Sequence, residues 1–403
     1  MTMSQMQVFP ITVAPIGPVS TGWLVFRRHP DVRLAVVAKA TFGFEERGES
    51  AGVGAERGAL EPPWMQPLAP QPLFADDRNH LSMPTASVEF PGDFAPYLGR
   101  TDVVLNGLVH PPATAARLLL GRHGNALLDK TVFVTDPNRS PSNPIPLTYE
   151  HTYGGPTNAE NPVGRLSPAL WNGHSLERVA GMGALSRHWP ARARLLEPAQ
   201  FQPRPSGFVE VPPDFAWDAL QAAPADQRLP FLHGDEWIRV EGVAHRRARL
   251  VGRLPALTAR AEEAGRPVPA LSFVIDQLLI DGAARRCHVR FRALMPWSGE
   301  TRDLRVEVLA HGAPLSLEPS TTGATALVPA WATSAAPAGP APALPFATPA
   351  SARPRSATPV RGLEDLKVPA AVAPAASPHQ STTAPANLSI IGDLGVLLGE
   401  LPE

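Results

Sequence analysis

An acidic pair beside a histidine is the pattern in this chain that most resembles a reactive site. The letters HGDE contain His233, Gly234, Asp235 and Glu236, and such groups can serve acid–base catalysis or metal binding. Neighbouring residues on a strand point to opposite faces, so Asp235 and Glu236 are badly placed to share one proton or one ion. His233 and Asp235 could face together, but two ligands do not complete a zinc site. We interpret HGDE as a charged turn before a strand and expect no metal or other cofactor.

Three further side chains have reactive chemistry. His110 precedes two prolines and His151 stands beside Tyr153, and no spacing around either resembles the G-x-S-x-G signature of a hydrolase. Cys287 alternates with apolar residues, which favours a small core residue over a nucleophile. The sequence therefore predicts that the protein is not an enzyme and has no catalytic residue. A hydrolase of cell-wall or glycan material stays open as an alternative, resting on scattered histidines and acidic residues.

A glycine-rich stretch follows Tyr153. Glycine permits positive φ angles and Asn-Pro favours a turn, so the stretch is typical of a structural or partner-docking loop. A phosphate cradle would need a strand before it and a helix after it, and no helical pattern follows. We therefore treat the following residues as partner-binding candidates: Tyr153, Gly154, Gly155, Asn161, Pro162 and Gly164.

A basic face is predicted for the strand RRCHVRFRALMP. Side chains alternate along a strand, which places Cys287, Val289 and Phe291 on one side. The basic side is predicted to dock an acidic protein surface, where charge steers encounter. A solvated face, or ion pairs within the molecule, is the alternative. The residues on the basic side are Arg286, His288, Arg290 and Arg292.

Strands must position most of these side chains. From Leu34 the chain alternates with period two, which indicates a strand: Leu34, Val36, Ala38, Ala40, Phe42 and Phe44 share one face, and Ala35, Val37, Lys39 and Thr41 share the other. Similar runs cover residues 101–109, 116–121, 128–135, 236–243, 248–255, 271–281 and 285–297. The predicted fold class is mainly β, with two β-sandwich-like lobes, long irregular loops and a disordered tail rich in proline and alanine.

Turn and cap signals refine this picture. Asp281 and Gly282 separate the last two runs and predict a hairpin, whose turn could extend past two residues. Asp214 precedes FAWDALQ, and we expect it to cap a short helix there.

The chain divides into four predicted regions. Residues 1–136 form a β-rich lobe, and residues 137–310 form a loop-rich segment and a second β-rich lobe. Residues 311–386 form a linker, because alanine, proline, serine and threonine cannot bury enough apolar area to offset backbone entropy. Residues 387–403 form a short amphipathic segment with a leucine stripe at helical spacing, a candidate partner-binding element. Its members are Leu394, Leu397, Leu398 and Leu401.

Composition narrows the classes of partner. The chain has 403 residues, 48 prolines and a net charge of −1, which supplies no field to attract nucleic acid or an anionic membrane. A single cysteine cannot form a disulfide framework within one chain. The first residues lack the pattern of a signal peptide, and no run of about 20 apolar residues appears. We expect a cytoplasmic protein that binds neither nucleic acid nor membrane.

Four blocks recur in the order of one known family. They are TDVVLNGLVHPP, with Asp102, Gly107, His110 and Pro112; TYEHTYGGPTNAENPVGRL; APADQRLPFLHGDEWIRVEGV, with Gly234, Asp235 and Glu236; and FVIDQLLIDGAARRCHVRFRALMP. Together the blocks resemble a bacterial domain-of-unknown-function family of type VI secretion adaptors, encoded beside effectors with PAAR-like spike tips.

The resemblance implies an adaptor or chaperone. Such a protein would bind a PAAR-like effector or spike-tip protein, with the spike protein as a further partner, and assist loading of the effector. A structural component of a contractile injection system is the alternative from another class. Two departures qualify the resemblance. The segment between Gly164 and Pro203 lacks the usual tryptophan-rich stretch, and the proline-rich tail is not part of the common pattern.

Overall fold

Alternation of apolar and polar residues explains why this chain folds into strands, since period-two patterns suit a pleated sheet that is buried on one face. The computed structural model describes residues 9–47, 62–80, 86–134, 142–153, 180–187, 205–243 and 248–317. All of them fall within one compact unit, Met1–Gly323. Mainly β structure is confirmed, and no α-helix occurs in these ranges.

Twenty-three strands follow one another along the described chain. In order they are β1 (Ile11–Ile16), β2 (Val19–Arg28), β3 (Asp31–Gly43), β4 (Glu45–Arg47), β5 (Gln66–Leu68), β6 (Arg78–Asn79), β7 (Val88–Phe90), β8 (Thr101–Asn106), β9 (Leu108–Val109), β10 (Ala115–Arg122), β11 (Asn125–Val134), β12 (Ile145–Pro146), β13 (Thr152–Tyr153), β14 (Phe208–Glu210), β15 (Arg228–Leu229), β16 (Trp237–Glu241), β17 (Arg249–Arg253), β18 (Leu257–Glu263), β19 (Arg266–Pro267), β20 (Val274–Asp281), β21 (Arg286–Pro296), β22 (Arg302–Ala310) and β23 (Ala313–Pro314).

Three large sheets organise these strands. The eight-stranded sheet has the order β14-β2-β3-β21-β20-β8-β15, with β5 beside β3. The six-stranded sheet has the order β13-β11-β10-β16-β17-β4, and the five-stranded sheet has the order β1-β22-β18-β19 with β23 beside β22. Each sheet combines strands from before and after residue 136. The predicted boundary there therefore does not separate two sets of sheets.

One hydrophobic core joins the three sheets. It takes Val36 from the eight-stranded sheet, Leu118 from the six-stranded sheet and Val306 from the five-stranded sheet. The predicted alternation of β3 is confirmed, because its residues from Leu34 to Phe42 at every second position all belong to this core.

The opposite face of the eight-stranded sheet is also buried. Irregular segments cover it, and two smaller apolar clusters fasten them: Phe94 and Phe215 pack near Phe26, and Phe90 packs near Val104. A sheet that is buried on both faces leaves no surface for the polar side chains of its second face. Those side chains must find partners inside the protein.

Local predictions have mixed outcomes. The hairpin of β20 and β21 is confirmed, and its turn is longer than two residues because Asp281 pairs with Arg286. The short helix near FAWDALQ is a 3-10 turn, Trp217–Leu220, which follows Ala216 without a side-chain cap, so the capping role of Asp214 was wrong. A second 3-10 turn spans Ala225–Gln227.

The predicted linker began too early. Residues 311–317 belong to the folded body, because Ala313–Pro314 form β23 and Leu315 lies in the core. The remainder of that linker and the segment 387–403 lie outside the described residues.

Candidate functional site

The predicted basic docking face is an interior structure. Arg290 is 1% exposed and Arg292 is 2% exposed, since both project from β21 onto the covered face of the eight-stranded sheet. Their prediction as a surface dock was wrong. The alternation itself was read correctly, but a strand pattern does not say whether a polar face meets water or another layer of protein.

Carboxylates from two directions satisfy these arginines. Asp276, on the neighbouring strand β20, accepts hydrogen bonds from Arg290 Nε at 2.7 Å and from Arg292 Nε at 2.5 Å. Asp93, from the covering segment, accepts from Lys39 Nζ at 2.6 Å and lies 3.4 Å from Arg290 Nη1. All five side chains are buried, so the network fastens the covering segment to the sheet.

His288 belongs to the same polar layer. Its Nδ1 lies 3.0 Å from the hydroxyl of Thr41, the residue directly opposite on β3. Burial, together with the charges of Lys39 and Arg286, lowers the pKa of His288 to about 3. The imidazole is therefore neutral in the folded protein over the physiological range, which excludes it as a cationic contact for a partner.

Cys287 and Arg286 complete this strand. Cys287 is fully buried, as predicted, and burial raises the pKa of its thiol far above the usual value. A buried neutral thiol is a poor nucleophile. Arg286 is partly exposed and lies 3.3 Å from the carboxylate of Asp281 across its own hairpin, so it too has an intramolecular role.

The first family-like block anchors a loop. Asp102, on β8, is buried and accepts hydrogen bonds from the backbone of Ala222 at 2.6 Å and from Gln221 Nε2 at 3.2 Å. Burial raises the pKa of Asp102, and the nearby charge of Arg228 opposes the rise.

The rest of that block closes a junction between strands. Gly107 lies against Val243, within ordinary contact distance of where a Cβ would be. His110 donates its backbone N–H to Gly242 at 3.2 Å. Pro112 follows in the turn before β10. These positions shape the backbone of the junction.

The HGDE turn is structural, as interpreted from the sequence. Gly234 has φ +85°, a conformation that favours glycine. Glu236 is buried and accepts the backbone N–H groups of His233 at 2.7 Å and Gly234 at 2.9 Å. Asp235 points elsewhere, to Arg122 at 2.5 Å and to His123 Nε2 at 3.3 Å. The two carboxylates therefore serve different partners and cannot share an ion or a proton.

The tyrosine-containing block contacts the described segment 180–187. The Tyr149 hydroxyl donates to the carbonyl of Gly183 at 2.7 Å, and Thr152 Oγ1 donates to the carbonyl of Ala180 at 2.8 Å. His151 Nδ1 lies 2.8 Å from the hydroxyl of Thr148. Residues 154–179 are not described. The residues on either side of them are joined by the hydrogen bond between Thr152 and Ala180, and we call this junction the stem.

Of the glycine-rich candidates and the leucine stripe, the described residues include only Tyr153. Tyr153 is at the edge of the six-stranded sheet, paired in register with Phe133. The rest of the set lies outside the described residues: Gly154, Gly155, Asn161, Pro162, Gly164, Leu394, Leu397, Leu398 and Leu401.

Sequence reasoning missed the acidic half of the buried network. Asp276 stands in the middle of the apolar run LSFVIDQLLID, and an isolated carboxylate in such a run signals a buried partner. Asp93 carried no such signal, because it lies in an irregular segment and meets Lys39 only through the tertiary fold.

Neither a metal-binding cluster nor a membrane-spanning helix occurs in the described ranges. No group of three or more histidine, cysteine or acidic side chains there is arranged to hold a metal ion. In the same ranges, no helix has the length and apolar character needed to cross a membrane.

Comparison with known proteins places the chain in a family. No curated protein and no solved structure matches it. A family model does match residues 30–292, more than half of the 403 residues, and this range contains the first three blocks and most of the fourth. The chain therefore belongs to DUF2169, a family of uncharacterized proteins conserved in bacteria.

Proposed function

We propose that this protein is a non-enzymatic adaptor that binds a PAAR-like type VI secretion effector in the cytoplasm and assists its loading onto the secretion spike. The proposal starts from the resemblance of the four blocks to adaptors of that kind. It assigns the protein a binding role, without turnover of a substrate.

The use of polar side chains inside the blocks is the observation that carries this proposal. Asp102, Glu236, Arg290 and Arg292 are buried and make hydrogen bonds within the chain, and Asp235 is held by Arg122. A catalytic group must instead reach a substrate atom, directly or through one water. Because these side chains bond to other groups of the chain and not to a substrate, they favour a binding scaffold over a hydrolase.

The stem at Thr152 and Ala180 also supports a binding role. The glycine-rich part of the tyrosine block is joined to the body through Thr152 and Ala180 at 2.8 Å. Loops that are presented from a rigid scaffold often carry binding function. In the proposal, residues of this block supply contacts to the effector.

Co-purification with the effector encoded beside this gene is the direct test. We expect a soluble complex at micromolar concentration, a higher yield of soluble effector on co-expression, and loss of effector secretion when the gene is deleted. Two folded proteins that form no complex would refute the adaptor function. Turnover of peptidoglycan by the purified protein, abolished by Asp235→Ala or Glu236→Ala with folding intact, would support the hydrolase alternative.

The C-terminal leucine stripe has a separate test. We propose that it is a capture element that raises the local concentration of the effector, since a flexible tether gives effective concentrations of about the millimolar range at best. Truncation after Val328 should leave the melting temperature nearly unchanged and weaken binding. The double variant Leu397→Asp/Leu398→Asp should reproduce the loss. Unchanged binding in both proteins would remove the stripe from the proposal.

A further inference from the structure

The outer face of the six-stranded sheet carries a compact group of arginines and tryptophans. Trp237 on β16 is the register partner of Arg253 on β17, and Arg253 forms a bridge with Trp64. Four residues before Arg253, and on the same face of β17, Arg249 lies directly opposite Arg47 of β4. Residues in direct register share a face. We call this set, with Arg239 between the two rows, the arginine–tryptophan patch: Arg47, Arg239, Arg249, Arg253, Trp64 and Trp237.

The patch faces away from the core. Residues between its members along the strands, Ile238, Val240 and Leu250, are buried in the hydrophobic core, so the patch residues must point outward. Trp64 is 43% exposed, an unusual fraction for so large an apolar ring. Among the described residues, Trp64 is exposed and the other five members of the patch are partly exposed, which leaves surface for a partner.

Trp64 is held rigidly at this surface. The guanidinium of Arg253 lies 4.4 Å from the centre of the indole ring, and His311 packs edge-on at 4.7 Å. The backbone is fixed as well, because Arg253 donates to Pro63 at 2.8 Å and accepts from Met65 at 2.8 Å. A side chain that is ordered before binding loses less entropy when a partner arrives.

The charges of the patch are incompletely matched. Arg47 and Arg249 are like charges directly opposite each other, an arrangement that destabilises a sheet. Arg47 pairs with Glu45, whereas Arg249 has no ion pair with any residue that the structure describes. Arg239 pairs with Glu241, but its Nε is buried and lacks a hydrogen-bond partner within the described ranges.

The outer face of the five-stranded sheet shows the contrasting case. There Arg260 pairs with Glu307, and Arg305 pairs with Glu262. Each of these arginines has a carboxylate on the adjacent strand, so its charge is matched within the described part of the sheet. Among the described residues, Glu45 and Glu241 beside the patch pair with Arg47 and Arg239. No described carboxylate pairs with Arg249, so an external anion would match its charge.

We propose that the arginine–tryptophan patch is a further surface that docks the partner of this adaptor, and that it recognises a carboxylate-rich protein surface with an apolar side chain at its centre. This inference rests on the proposed function. Tryptophan and arginine are the residue types most enriched among those that dominate binding energy at protein interfaces. The apolar side chain would pack beside Trp64 and Trp237, and the carboxylates would pair with Arg249 and Arg239.

Single-stranded nucleic acid also binds sheets that display aromatic and basic residues. Two features favour a protein partner. Arg253 already covers one face of the Trp64 ring, which obstructs stacking of a base. The chain has a net charge of −1, and Glu45 and Glu241 lie among the arginines, where they would repel phosphates.

Charge reversal at Arg249 tests the inference. The wild-type protein, Arg249→Glu and a matched control, Arg305→Glu on the five-stranded sheet, would be titrated with the neighbouring PAAR-like effector by isothermal calorimetry. We expect Arg249→Glu to raise Kd about tenfold or more, as for a central interface residue, and Arg305→Glu to leave Kd unchanged. The melting temperature of Arg249→Glu should equal or exceed that of the wild type, because the new carboxylate faces Arg47.

The outcomes separate the two proposals. A wild-type complex that Arg249→Glu does not weaken would overturn this inference and leave the adaptor function standing. Equal weakening by Arg249→Glu and Arg305→Glu would overturn it too, because the effect of charge reversal would then not depend on which sheet carries the arginine. No wild-type complex would refute the adaptor function and the inference with it. Binding of a 20-nucleotide oligo(dT) by the wild type, lost in Arg249→Glu, would overturn the choice of a protein partner.

Discussion

Two groups of arginines in this protein show how one strand pattern can have opposite outcomes. On β21, Arg290 and Arg292 alternate with core residues and are buried against Asp276. On β17, Arg249 and Arg253 also alternate with core residues, and they are partly exposed. The local pattern is the same in both strands, because each places its arginines on the face opposite the hydrophobic core.

The difference lies in what covers that second face. Irregular chain covers the arginines of β21 and supplies Asp93, whereas the arginines of β17 lie on an outer face. A buried charge must be paired, because burying an isolated charge costs much free energy. An exposed charge is solvated by water and can pair with an external partner. The buried group therefore has a structural role, and the exposed group is the better candidate for binding.

Removal of Asp276 should have the largest effect on stability. Asp276→Ala leaves two buried arginines without their shared carboxylate, and breaking a buried pair costs about 3–5 kcal/mol. Urea unfolding would measure this loss. Glu263→Ala, which removes a partly exposed partner of Arg302, is the matched control and should cost at most about 1 kcal/mol. Similar losses in the two variants would break the comparison between buried and exposed charge.

Acid should weaken the buried layer through His288. Its pKa is about 3 in the folded protein and 6.5 in the reference state, so the unfolded chain binds the proton more tightly between those values. Stability should fall as the pH drops from about 6.5 toward 3, with a slope approaching 1.4 kcal/mol per pH unit from this group, and should not depend on it above that window.

His288→Asn separates this effect from that of other acid-sensitive groups. Asparagine offers Thr41 a hydrogen-bond partner and does not titrate. The free energy of unfolding of His288→Asn, measured by urea at several pH values, should have a shallower slope between pH 6.5 and 3 than the wild type. Parallel pH profiles would show that His288 is not held neutral by Lys39, Arg286 and its burial.

Charge reversal in the exposed group should have the smallest effect on stability. Arg249→Glu replaces a like-charge pair across β17 and β4 with an opposite-charge pair, a gain of about 0.2–1 kcal/mol. Arg290→Glu, by contrast, would put a carboxylate beside Asp276 and Asp93 and should prevent folding. Thermal melts of both variants sharpen the comparison. A destabilised Arg249→Glu would indicate that Arg249 has a structural contact after all.

The sequence predicted which segments form strands well, and it predicted less well how those strands pair into sheets. The runs near Leu34, Thr101, Arg249 and Val274 were found because alternation, enrichment in β-forming residues and flanking turn residues are local signals. The arrangement of strands into shared sheets was not found, since β3 pairs with β21 across more than two hundred residues of chain. The basic face on β21 was wrongly predicted to be exposed, because the segment with Asp93 that covers it is distant in sequence.

The candidate site divides in the same way. HGDE was recognised as a turn, because alternation alone argues against a shared ligand for Asp235 and Glu236. The outward group of Trp64, Arg249 and Arg253 was not recognised. Its members come from separate segments and become neighbours only through the pairing of β17 with β4 and with the residues around Trp64.

By itself, the sequence determined that the chain forms strands, which side chains of each strand share a face, and that Cys287 joins the core, because these properties depend on residues a few positions apart. The tertiary structure alone decided which polar faces are covered. Covering depends on distant segments, such as the one that brings Asp93 to Lys39, and the free energy of a charged side chain depends on whether water or protein surrounds it.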